Sequence, residues 1–183
     1  MSQPTRDDFA FFLPLATRWG DMDALGHVNN AKFFTYDESV RLAYFQELMR
    51  DDPKFWKDYG LILAHIEADF LVQLKPPAEL ALGFRIARFG RTSLRTEAGM
   101  FLGGQLVAVT RAILVWFDYA AGKALAVPEG VKAKVLAREK VAPEQGQLAA
   151  QMPSLRSSCA GSASFHSRSK CLSCMRPRCG ALS

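Results

Sequence analysis

No cysteine occurs before Cys159 in this 183-residue chain; all four (Cys159, Cys171, Cys174, Cys179) fall near its C-terminal end. A disulfide framework therefore does not hold the main body together. Long apolar runs are also missing, and none approaches the ~20 residues that a membrane-spanning helix needs. Met1 to Asp8 carries two acids and no basic cluster ahead of an apolar stretch, so it does not read as a signal peptide. These absences lead to the expectation of a cytoplasmic protein with no membrane span. The formal charge of +5 is not spread along the chain, because residues 145–183 hold five basic residues and no acid. Residues 1–144 balance 18 basic against 18 acidic side chains. A neutral body gives no support to nucleic-acid binding.

What is present is ordinary globular composition, 49% hydrophobic and 22% charged, at a length suited to one domain. Phe9 to Trp19 is an apolar run broken by Pro14, which predicts an edge strand. After the turn-like stretch Gly20 to His27, Asn29-Asn30 offers a helix N-cap. Phe33, Tyr36, Val40, Tyr44 and Leu48 then recur every three or four residues, the period of an amphipathic helix, until Asp51-Asp52-Pro53 ends it.

The period then changes to two. From Ala64 to Leu74 every even position is apolar and most odd ones are polar, which predicts a half-buried strand. A second strand carries Leu80, Leu82, Phe84 and Ile86 and ends near Phe89. A third runs from Thr92 to Phe101, and Gly103-Gly104 is a hairpin signal into a fourth, Leu106 to Phe117. That last strand is apolar on both faces apart from Thr110 and Arg111, as a strand central in its sheet would be. A short helix is expected over Glu129 to Glu139. The order is strand, long helix, four strands, and a helix this apolar needs the antiparallel sheet to bury it. The expected domain spans 1–144. Residues 145–183, rich in Ser, Gly, Arg and Cys, read as a disordered tail. The spacing of His166, Cys171, Cys174 and Cys179 fits no common zinc finger, and no metal site is expected there.

The chemistry-bearing stretch is Arg18 to Phe33. It sets carboxylates one glycine-containing turn before the N-terminus of the long helix. Unbonded N–H groups and the positive end of the macrodipole there would stabilise a developing oxyanion. A nearby carboxylate could attack the same carbon or activate a water. The spacing alone is equally compatible with acids that cap or solvate a loop.

The run Asp21-Met22-Asp23-Ala24-Leu25-Gly26-His27-Val28-Asn29-Asn30, with Phe33-Phe34 and Glu38-Ser39-Val40-Arg41, resembles the signature of hotdog-fold thioesterases, closest to the 4-hydroxybenzoyl-CoA thioesterase-like group. The resemblance covers about residues 10–135. It implies an α+β hotdog fold in which a long central helix is wrapped by a curved five-stranded antiparallel sheet. It implies hydrolysis of acyl-CoA, or of an acyl carrier protein thioester, by a homodimer or homotetramer with no cofactor. Asp23 takes the position of the catalytic aspartate and Asn30 that of the backbone N–H oxyanion donor. His27 falls where related plant enzymes carry a catalytic histidine, while Leu25 stands where they carry asparagine. Gly26 and Asn29 belong to the substrate-binding loop. Gly90-Arg91-Thr92-Ser93 resembles the segment that approaches the CoA nucleotide, with Arg91 on a phosphate and Thr92 or Ser93 on phosphate or pantetheine. Lys75 and Arg88 are weaker candidates of that kind. Glu38 and Arg41 are expected to form an ion pair, Glu38 being a lesser site candidate, and His65 is expected to be exposed or at an interface. The alternatives are a hydratase or dehydratase of the same fold and a non-catalytic acyl-thioester-binding module.

Overall fold

The computed structural model of the protein describes residues 3–146. The tail expected to be disordered lies outside the described residues from 147 on, and so does its His/Cys spacing. Five long strands, β1 (Phe11–Ala16), β2 (Tyr59–Phe70), β3 (Glu79–Phe89), β4 (Ser93–Leu102) and β5 (Gln105–Asp118), form an antiparallel sheet in the order β1-β3-β4-β5-β2. Helix α1 (Asn30–Leu48) lies across it, touching β1, β2, β3 and β5. A two-residue strand β6 (Lys123–Ala124) adds to β5, a short helix α2 (Glu129–Arg138) follows, and β7 (Glu144–Gln145) pairs in parallel with β3. A long helix held in a curled antiparallel sheet is the hotdog arrangement.

Helix α1 is placed by its apolar stripe. Phe33, Tyr36, Val40, Tyr44 and Leu48, the predicted face, are all buried and join Leu82, Phe84, Ile86, Leu94, Met100, Leu114 and Trp116 from the sheet in one core. Burying a large apolar side chain is worth about 1.5–3 kcal/mol, so five on one face outweigh the weak intrinsic preference of the aromatic residues for helix. The hairpin glycines behave as expected: Gly103 and Gly104 take φ of 57° and 93°, where a side chain would be strained.

The strand predicted over 64–74 instead starts at Tyr59 and ends at Phe70. The register against β5 slips between Leu63 and His65, leaving Ala64 as a bulge. A bulge adds one residue and inverts the two-residue alternation beyond it. Tyr59 and Leu61 therefore contact the core before the bulge and Ile66 after it, so a single alternating phase did not reveal the first half. At the other end of the domain, pairing of Glu144 and Gln145 with Arg88 and Phe89 carries ordered structure just past the expected boundary at residue 144.

The outer face of the sheet has its own small core. Gly83 and Gly99 are cross-strand partners in β3 and β4, and the fully buried Phe9 lies over both. A Cβ built on Gly83 would come within 2.7 Å of the Phe9 ring, and one on Gly99 within 2.8 Å of Phe101. Phe9 and Phe101 meet edge to face at 5.9 Å. Gly83→Val should therefore unseat Phe9 and cost about 1–3 kcal/mol, the usual penalty for overpacking. Urea unfolding monitored by tryptophan fluorescence would show the lower midpoint; an unchanged midpoint would mean that the N-terminal segment is not anchored there.

Candidate active site

The stretch between β1 and α1 is held by one buried carboxylate. Asp21, 7% exposed, accepts hydrogen bonds on Oδ2 from the Arg18 N–H (2.9 Å) and the Tyr36 hydroxyl (2.9 Å). Its Oδ1 pairs with the Lys32 ammonium at 3.2 Å. Its backbone carbonyl accepts the N–H of Asn29, the helix N-cap. Burial alone would raise the Asp21 pKa, but these three donors outweigh it and hold the carboxyl below the usual range. Asp21 is therefore a structural anion that fastens the loop to the first two turns of α1.

Asp23 is arranged differently. It is half-buried, and only Oδ1 is engaged, accepting the N–H groups of Leu25 (2.8 Å) and His27 (3.3 Å). No hydrogen bond to Oδ2 forms among the described residues. The backbone closes the same turn: the Asp23 N–H donates to the His27 carbonyl (2.8 Å) and the Gly26 N–H to the Asp23 carbonyl (3.1 Å). Gly26 sits at φ 77°, which explains a glycine at that position. His27 holds the loop through its backbone, and its ring forms no hydrogen bond among the described residues.

At the helix start, the Asn29 side chain accepts the Ala31 N–H (2.9 Å) and its carbonyl accepts the Lys32 N–H (2.9 Å). The Asn30 N–H has no such acceptor among the described residues. It is thus the first-turn donor left for an incoming oxygen, at the positive end of a 19-residue helix. A singly engaged carboxylate and an unbonded helix-start N–H on one short loop can serve as nucleophile or base and as oxyanion donor. Large apolar side chains surround this end. Trp19 and Leu25 are 82% and 80% exposed, and Phe70 stacks edge-on against Phe33 at 5.2 Å.

The other candidates lie elsewhere. Ala16 pairs with Glu79 at the start of β3, so the Asp23 loop sits at that end of the sheet. Gly90-Arg91-Thr92 connects the far end of β3 to β4, where the Thr92 carbonyl accepts the Trp116 N–H and the Arg91 carbonyl the Val127 N–H. Eleven residues of β3 separate the two ends, on the order of 35 Å at about 3.3 Å per residue. A single chain thus does not bring Arg91, Thr92 or Ser93 to Asp23. Lys75 is exposed, and Arg88 lies at the far end beside β7. His65 is exposed, 3.7 Å from Glu67.

One expected pairing is corrected. Arg41 bonds not Glu38 but Asp37, one turn earlier, at 2.6 Å. Asp37 is 1% exposed and also accepts the Thr110 hydroxyl from β5 at 2.6 Å. Both spacings suit a helix, and burial decides between them: Glu38 faces solvent while Asp37 and Arg41 face the sheet. Burial raises the Asp37 pKa despite Thr110 and Arg41. Asp37, Tyr36 and Lys32 were not singled out as partners from the sequence. Tyr36 looked like one more core aromatic, and nothing in the spacing marked its hydroxyl as the clamp on Asp21.

Because the folded-state pKa of Asp21 lies below that of the unfolded chain, about 3.9, its stabilisation is present in full above that value. It is lost as pH falls through the lower folded pKa. Asp21→Asn should lower the melting temperature at pH 7 and lose less stability than the parent on acidification to about pH 3. Thermal melts of both proteins across this range test it, and parallel curves would remove Asp21 as the clamp.

Residues 17–135 match the family described as Thioesterase-like superfamily. Among solved structures, a thioesterase from Thermus thermophilus, complexed with coenzyme A and zinc, is 32% identical. It superposes with a TM-score of 0.64 over 72% of this chain and 96% of that one. The PA5185 protein of Pseudomonas aeruginosa is 26% identical with a TM-score of 0.66, over 74% of this chain and 96% of its own. The curated Bacillus subtilis (strain 168) protein YsmA, described as uncharacterized, is 28% identical over 135 residues, 73% of this chain and 90% of YsmA.

Proposed function

Since the chain belongs to the thioesterase-like superfamily, we propose that it hydrolyses acyl-CoA thioesters to the free acid and CoA, with Asp23 as the catalytic carboxylate. The observation that carries this reading is the contrast within the acidic pair. Asp21 is engaged on both oxygens, whereas Asp23 keeps Oδ2 available on the short loop that leads to the unbonded Asn30 N–H. The thioester carbonyl oxygen takes the Asn30 N–H, and negative charge that develops on it is stabilised by the helix start. Asp23 Oδ2 either attacks the carbonyl carbon or takes a proton from the water that does. In both routes the C–S bond breaks and CoA leaves as its thiolate; after direct attack, water then hydrolyses the acyl–Asp23 anhydride to release the acid and restore the carboxylate. Gly26 and Asn29 shape the loop and cap the helix, and His27 lines the site.

A second copy of the chain completes this site. Among the described strands β2 pairs only with β5, its sole other bridge being Phe55 to Tyr59 at its start, which leaves an open edge along which Ile62, Leu63 and Phe70 are exposed. An apolar unpaired edge is unfavourable in a lone protomer. Two β2 edges meeting antiparallel about a two-fold axis would set the Asp23 end of one protomer beside the Arg91 end of its partner. Arg91 then holds a CoA phosphate, with Thr92 and Ser93 along the pantetheine, for a thioester at the other protomer's Asp23. The resemblance of one neighbour to this chain adds weight, since that thioesterase was solved with coenzyme A bound.

Asp23→Asn tests the chemistry cleanly, because an amide oxygen still accepts the two loop N–H groups while the charge is lost. kcat on a good acyl-CoA should fall at least ~10²-fold, the lower end of general-base contributions, with KM changed far less and the melting temperature kept. Near-parental turnover in this variant would discard Asp23 as the catalytic group. The shared site has a separate test. Inactive Asp23→Asn and Arg91→Ala proteins, mixed after reversible unfolding, should regain turnover, because a hybrid dimer contains one intact pair. Failure to regain any would discard the pairing of one chain's Asp23 with a second chain's Arg91.

A further inference from the structure

Between α1 and β2, one residue has a backbone that its own packing does not explain. Trp56 takes φ 70° and is the one non-glycine residue with positive φ among the described residues. A bulky side chain is strained in that left-handed region, yet the Trp56 ring remains 40% exposed. Such strain persists where the surroundings over-determine it, and here they do. The Trp56 N–H donates to the Tyr59 carbonyl (2.8 Å), and the N–H groups of Lys57 and Asp58 both return to the Lys54 carbonyl (3.0 and 2.9 Å). The Tyr59 hydroxyl donates to Asp52, and the Phe55 ring lies 4.4 Å from the indole. Gly60 completes the seat, since a Cβ there would collide with the Tyr119 hydroxyl and come within 3.1 Å of the indole. Trp56 and Tyr119, the latter 38% exposed, thus both lean on Gly60.

These rings stand at the Arg91 end of the sheet. Ile62 of β2 and Ser93 of β4 pair with Val115 of β5 from opposite sides. β2 and β4 therefore start at the same end, two strand spacings or about 10 Å apart. Trp56 precedes β2, Arg91 precedes β4, and Tyr119 follows β5 between them. In the two-fold arrangement proposed above, a line from Arg91 to the partner's Asp23 crosses the ends of β5 and β2, where Tyr119 and Trp56 stand.

We propose that Trp56, with Tyr119 beside it, walls the passage for the arm of CoA between its phosphates and its sulfur, so that each protomer lends Trp56 to the site built on the other's Asp23. This rests on the reading of an acyl-CoA site shared by two copies. The arm is an uncharged chain of methylenes, methyl groups and amides. A rigid indole face gives it a large contact at little cost in conformational freedom.

Coenzyme A, 4′-phosphopantetheine and adenosine 3′,5′-bisphosphate, each titrated into the full chain by calorimetry, test this without turnover. Trp56→Gly removes the ring and suits the left-handed backbone; it should weaken the first two probes about tenfold, the scale of an aromatic anchor. The bisphosphate should bind as in the parent, and Trp56→Phe should recover most of the loss. Equal binding of coenzyme A by parent and Trp56→Gly overturns the proposal. So does weakening of coenzyme A and the bisphosphate with 4′-phosphopantetheine unchanged, which would put the base on the indole. Absence of coenzyme A binding by the parent removes the acyl-CoA reading as well, a result distinct from either.

Turnover by hybrids tests the exchange between protomers. Asp23→Asn and Trp56→Gly chains, mixed after reversible unfolding, should yield a component with the parental KM, because one hybrid site joins an intact Asp23 to the other chain's Trp56. Only the raised KM of Trp56→Gly in that mixture would place the ring in its own chain's site and overturn the shared arrangement.

Discussion

Asp21 ties the loop before α1 to the start of the helix. Its carboxylate gathers a backbone N–H from the loop, a hydroxyl from the second turn of α1 and an ammonium from the first, while its carbonyl receives the N-cap residue. A charge so deeply placed would be costly if any of these donors were missing. With all of them present, the loop before α1 has few alternative conformations. Asp23, two residues on, follows this anchor and is hydrogen-bonded on one oxygen only among the described residues. The two acids thus differ by burial rather than by residue type, Asp21 being bound on both oxygens and Asp23 on one.

Helix α1 connects that anchor to the rest of the fold. Its apolar face is buried against the sheet, and Asp37 and Arg41 form a polar pair within the same interface, closed by Thr110 from β5. Such a pair adds little net stability over well-packed apolar residues, but breaking it would strand a buried charge. The helix start therefore cannot shift along the sheet without disturbing both contacts. The far end of the sheet, where Arg88 and Arg95 pair across β3 and β4, lies the length of β3 away from the Asp23 loop.

Much of this was readable in the residues. The five-residue stripe of α1, the edge strand marked by Pro14, the Gly103-Gly104 hairpin and the apolar β5 all follow from local periodicity and turn chemistry. Those signals arise from residues close in the chain. The first half of β2 escaped because a bulge at Ala64 inverts the alternation, and bulges leave no mark in composition. The choice between Glu38 and Asp37 as the partner of Arg41 escaped because both spacings suit a helix and only the sheet decides which side is buried.

What the sequence determined alone is the local material of the site: two acids, a turn glycine, a capping asparagine and a helix start, in an order similar to a known family's. Local spacing suffices for these because each is fixed by bonds spanning a few residues. Tertiary structure decided which acid is bound and which is left available, since Tyr36 reaches Asp21 across 15 residues of chain. It also decided that Gly83 and Gly99, 16 residues apart, make one seat for Phe9, and that Arg88 and Arg95 stand side by side on neighbouring strands. Those relations depend on strand register, and register is set by the packing of a whole face rather than by any one stretch of chain.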